Sequence, residues 1–122
     1  MVLHPKVSTD DAFREIVKNN KIVLLDFFAT WCGPCKIISP VVSEMSDDKK
    51  YKNVFIGKID FELLSDLSDK LDIQAMPTFL LFKDGVQVGK VLEPKPAELI
   101  KLLEDGLGMS YGETVAACGA SN

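Results

Sequence analysis

Apolar residues recur along this chain at two spacings, and the switches between them outline its elements. Ser8 and Asp11 resemble a helix-start capping box, and Phe13, Ile16 and Val17 follow at the spacing of an amphipathic first helix. Residues 22–29 are continuously apolar except for Asp26, which predicts a strand buried on both faces. Ile37, Ile38, Val41, Val42 and Met45 return to helical spacing. They predict a second helix ending near Asp48, kinked where Pro40 removes a backbone donor. Residues 54–59 read as a second buried strand. Leu63, Leu64, Leu67 and Leu71 then form the core stripe of a third helix closing near Asp72, with Lys49 and Lys50 as a solvated helix end before it.

Two further strands, 78–82 and 86–92, flank Lys83-Asp84-Gly85, and the Asp-Gly pair predicts a tight hairpin turn. Pro96 suits the first turn of a closing helix, built on Leu99, Ile100, Leu102 and Leu103 and stopping at Gly106. Strands alternate with helices first, and a hairpin and a helix follow. The fold class is therefore α/β: a central mixed β-sheet with helices on both faces. Past Gly106 the residues turn small and polar without a period, so residues 1–106 are expected to form the domain and 107–122 a flexible tail.

At 122 residues and 47% hydrophobic, the chain suits one soluble domain. Its net charge of −4, with no basic cluster, argues against a nucleic-acid backbone as partner. No apolar run is long enough for a membrane span, and the first twenty residues resemble neither a secretory signal nor a transit peptide. With three cysteines, too few for a disulfide scaffold, the expected location is a reducing compartment, the cytoplasm.

The candidate chemistry is Trp31-Cys32-Gly33-Pro34-Cys35, between the first strand and the second helix. Two thiols at this spacing can close a disulfide ring or hold a metal. A zinc site would need two more ligands, and only His4 and Cys118 are on offer, both distant in sequence. Redox use fits better. A thiolate is the attacking species, and a cysteine at a helix N-terminus is acidified by unpaired N–H groups and the helix dipole. Cys32, expected at the exposed edge, is thus the nucleophile, and Cys35, expected to lie deeper, resolves the mixed disulfide. Gly33 permits the tight turn and Pro34 constrains the ring, so both tune how readily the disulfide is reduced.

With these elements in place, the chain resembles the thioredoxin family over about residues 5–106. Supporting marks are Asp26, Lys36, Pro40, Lys58 and Met76-Pro77-Thr78. The resemblance implies the thioredoxin fold, a cis peptide before Pro77 facing the disulfide, and protein-disulfide reduction. It also implies disulfide-containing target proteins, re-reduction by an NADPH-dependent thioredoxin reductase, and no bound cofactor. Asp26 is implied to take the proton from Cys35, with Lys58 tuning it; the plainer reading is an aspartate that satisfies buried backbone donors. Pro77 either ends a loop or places the Met76 backbone where an extended target pairs with it. Trp31, Ala75, Met76 and Val91 are the implied apolar rim. One departure stands out: many thioredoxins carry a glycine near Leu92, and here Leu92-Glu93-Pro94 could reshape that rim.

Two rival functions remain at this point. An oxidising isomerase usually has His in place of Pro34, and a redox-sensitive interaction module would use the same docking surface without turnover. The expected state is a monomer. Cys118 is either an ordinary exposed thiol or the link of an oxidised dimer.

Overall fold

β1 (Ile22–Phe28) runs through the middle of the sheet, which explains its unbroken apolar run. The computed structural model describes residues 5–108; His4, Cys118 and residues 109–122 of the expected 107–122 tail lie outside them. Around β1 the chain places α1 (Asp10–Asn19), α2 (Gly33–Asp47), a 3₁₀ turn (Lys49–Tyr51) and β2 (Val54–Asp60). α3 (Ser65–Lys70), β3 (Thr78–Lys83), β4 (Val86–Leu92) and α4 (Pro96–Leu107) complete it. The strand order is β2-β1-β3-β4, with β1 parallel to β2 and antiparallel to β3, and β4 antiparallel to β3. Outside β2, the Val7 N–H donates to the Lys58 carbonyl at 2.8 Å and the Lys58 N–H to the Pro5 carbonyl at 2.9 Å.

Alternation along β1 sorts its side chains into two cores. Ile22 and Leu24 join Ile38, Val42, Phe79 and Leu99 beneath α2 and α4. Val23, Leu25 and Phe27 join Ile59, Leu80 and Phe82, with Phe13 and Ile16 of α1 and Leu67 of α3. Asp26 continues the first series, so its carboxyl points toward the α2 layer.

Local signals succeeded unevenly. Asp84 and Gly85 both have positive φ, 53° and 84°, the backbone a two-residue hairpin turn demands. The cap of α1 is Thr9, not Ser8: its hydroxyl accepts the Ala12 N–H at 3.0 Å. α2 runs continuously through Pro40. The leucine stripe is only partly core. Residues 61–64 form turns before a short α3, leaving Leu67 buried while Leu63 is exposed. α4 passes through Gly106 and ends at a left-handed Gly108. Gly106 is explained by packing rather than termination, since a Cβ there would collide with Leu81 Cδ2. Lys49 and Lys50 are exposed as expected, and Lys50 also has a partner: its Nζ lies 3.1 Å from Glu104 Oε2, which accepts the Tyr51 hydroxyl at 3.0 Å.

Candidate active site

The turn out of β1 delivers Cys32 to the N-cap of α2, where its backbone is extended (φ −87°, ψ 114°). The Cys35 N–H donates to Cys32 Sγ at 3.1 Å. Pro34 occupies the first turn, where its missing donor would have no intrahelical partner anyway. The two cysteines are joined as a disulfide, with Cα atoms 5.3 Å apart. When that bond is reduced, the sulfur of Cys32 stands at the positive end of a fifteen-residue helix with an N–H aimed at it, which favours the thiolate.

The expected difference in burial between the cysteines is not present in the disulfide state. Cys32 is 3% exposed and Cys35 7%. The sulfur of Cys32 is turned inward, 3.5 Å from the Met76 carbonyl oxygen, and Phe28, Ala29 and Met76 pack around the pair. What faces solvent is the shoulder of the site: Trp31, Gly33, Pro34 and Ile37. Ile37, placed in the helical apolar pattern by spacing, is 78% exposed, because α2 turns that side away from the sheet.

Met76-Pro77 is a cis peptide. Thr78 Oγ1 donates to the Ala75 carbonyl, and the Glu93 N–H donates to the Pro77 carbonyl at 2.8 Å, tying the loop after β4 to this segment. Ala75 and Met76 are half-buried and Pro77 is buried. Val91 and Leu92 are not among the residues packed on the disulfide. Val91 pairs with Phe79 and joins the α2–α4 core, while Leu92 helps line a groove of about 370 Å³ with Leu102 and Lys101 of α4. The left-handed residue of this loop is Glu93 (φ 44°), so the backbone that favours glycine sits one residue beyond Leu92.

Asp26 lines a cavity of about 260 Å³, whose wall also includes Cys35, Ser39, Lys36 and Lys58. It is 4% exposed and stands opposite Lys58 in the β1–β2 register. The sheet thus brings Asp26, Lys58 and Cys35 together from three elements. Sequence reasoning did not identify Phe28 as a cavity wall, nor Lys6, whose Nζ lies 5.9 Å from the Phe28 ring centroid. Only strand pairing could reveal these. Among the described residues, no group of three or more His, Cys, Asp or Glu side chains could hold a metal. No described helix is long and apolar enough to cross a membrane.

A cysteine pair closed across the first turn of a helix, above a central mixed sheet, defines the class of dithiol–disulfide oxidoreductases built on the thioredoxin fold. The family model described as Thioredoxin matches residues 4–105. A thioredoxin of Coprinus comatus is 37% identical over 101 residues, 83% of this chain and 95% of that protein. Among solved structures, Malassezia sympodialis thioredoxin superposes with a TM-score of 0.80 at 35% identity, covering 86% of this chain and 94% of that one. The oxidised mitochondrial thioredoxin 3 of Saccharomyces cerevisiae gives 0.78 at 36% identity, covering 83% and 93%. The chain belongs to the thioredoxin family, and it is a protein-disulfide oxidoreductase.

Proposed function

We propose that the protein is a general protein-disulfide reductase, re-reduced by an NADPH-dependent thioredoxin reductase, which carries electrons for cellular redox homeostasis. The observation that supports this most directly is the Cys32–Cys35 disulfide at the α2 N-cap. In the forward reaction the Cys32 thiolate attacks one sulfur of a target disulfide. A mixed disulfide forms, and the other target sulfur leaves and takes a proton. Cys35 then gives its proton toward Asp26 across the shared cavity and attacks Cys32 Sγ. The second target thiol is released, and two electrons have passed to the target. Burial disfavours a charged Asp26 carboxylate, which suits it to accept a proton at this step. Gly33, Pro34 and Lys58 tune the couple.

Targets are read by the exposed Trp31 and by Ala75, Met76 and Pro77, with an extended segment pairing alongside the Met76 backbone. Val91 and Leu92 belong to this proposed rim through the loop tied to Pro77. The expected boundary at 106/107 falls inside α4, so the proposed domain runs to Gly108 with the tail following it. The protein is further proposed to be a cytoplasmic monomer that can link through Cys118 on oxidation. Cell fractionation tests the location, since one structural relative is mitochondrial.

The deciding experiment is the equilibrium potential of the Cys32–Cys35 couple against a defined thiol buffer. A value near about −270 mV, the one established for thioredoxin, supports a reductant, and one near about −180 mV points to an isomerase-like oxidant.

A further inference from the structure

The cavity beneath the dithiol gathers positive charge in an otherwise acidic chain. Lys36, the fourth residue of α2, and Lys58, from β2, both line it beside Cys35. Lys6 arrives from the segment before α1. Its backbone bridges to Lys58, and the two Nζ atoms lie 5.9 and 5.5 Å from the centroid of Phe28, which is itself part of the cavity wall. Two lysines thus line the cavity and a third lies over the Phe28 ring of its wall, in a protein of net charge −4.

Arg14, Lys50, Lys90 and Lys101 are engaged in salt bridges elsewhere on the surface. Asp26 is the carboxylate of the cavity wall, and it is buried. Asp60, two residues past Lys58, is turned back on its own turn, accepting the Glu62 and Leu63 N–H groups at 2.9 and 3.3 Å. Bringing like charges together costs repulsion that grows as they approach. Packing does not require a cation at the exposed positions Lys6 and Lys36.

We propose that Lys6, Lys36 and Lys58 form a charge-selective collar that favours target polypeptides with carboxylates flanking the disulfide. This deepens the reductase reading and rests on it. The collar acts on encounter: a positive mouth raises the local concentration of an anionic segment over a Debye length, about 10 Å at 0.1 M salt. The exchange chemistry at Cys32 is unchanged.

The test uses the full chain and two disulfide-bridged peptides that differ only in Glu or Lys on either side of the bridge. Bis(2-hydroxyethyl) disulfide serves as a neutral control. At about 20 mM salt the Glu peptide should be reduced about tenfold faster than the Lys peptide, falling to within about twofold at 0.5 M. The double variant Lys6→Gln/Lys36→Gln should lose most of that preference and reduce the neutral disulfide at the wild-type rate. A ratio near one at low salt, a preference for the Lys peptide, or a preference that survives the double substitution overturns the collar. Failure of the wild-type protein to reduce the neutral disulfide overturns the reductase reading itself, and the collar with it.

Discussion

The two faces of β1 carry different burdens. On one, Val23, Leu25 and Phe27 sit in an apolar core shared with α1 and α3. On the other, Ile22 and Leu24 lead to Asp26, which shares a cavity with Cys35 and Lys58. A buried polar group is costly unless it is solvated or partnered. Here it is placed at the end of one face, beside a cavity and the start of α2. Stability and chemistry are thereby separated by the pleat of a single strand.

The largest effect should come from the apolar face. Phe27→Ala is expected to lose about 3–5 kcal/mol in urea unfolding, because Phe27 is fully buried, and to leave the Cys32–Cys35 potential where it was. A shifted potential would show that the two faces are not independent. Asp26→Asn should do the reverse: stopped-flow resolution of the mixed disulfide slows about tenfold, about 1.4 kcal/mol in barrier, with no loss of stability. Unchanged turnover across pH would sink the proton-transfer role.

Gly106→Ala probes close packing of α4 on β3. The new Cβ meets Leu81, and the gain in helix propensity of about 1 kcal/mol only partly offsets overpacking of about 1–3 kcal/mol. Calorimetry should show a net loss of about 1 kcal/mol with reduction rates intact.

The smallest effect lies on the α2–α4 side but past the far end of α2, roughly 20 Å from the dithiol at 1.5 Å per helical residue. There the bond to Glu104 raises the pKa of Lys50 above its ordinary 10.5. Burial, then its own bond to Glu104, raises Tyr51 above 10.0. Both groups hold their protons more tightly when folded. Their contribution is therefore complete below about pH 10 and is lost as pH climbs through the raised folded values. Glu104→Gln should flatten that alkaline loss in pH-dependent unfolding, and cost about 1 kcal/mol at neutral pH through the Tyr51 hydroxyl bond. An identical alkaline profile would remove Glu104 from the account.

Legibility along the chain followed the range of the interactions involved. The Asp84-Gly85 turn and the start of α4 at Pro96 were readable because a few adjacent residues determine them. Leu63, expected in the core, is exposed, as is Ile37 of the helical pattern, since helical spacing does not say where a helix begins or which side meets the sheet. Gly106 looked like a stop because the side chain that needs its missing Cβ, Leu81, is twenty-five residues away. The predicted exposure of Cys32 failed for a similar reason: Met76, forty-four residues on, is packed against it.

The sequence alone determined the reactive unit. Two cysteines three positions apart at a helix start need only one turn of backbone to meet, and that geometry is local. Tertiary structure decided everything the dithiol works with. The β1–β2 register set Lys58 opposite Asp26, the outer bridge carried Lys6 to Phe28, and the Met76-Pro77 segment before β3 came to rest against Cys32. Contacts between residues so far apart in sequence follow from strand pairing and core packing, and no local pattern encodes them.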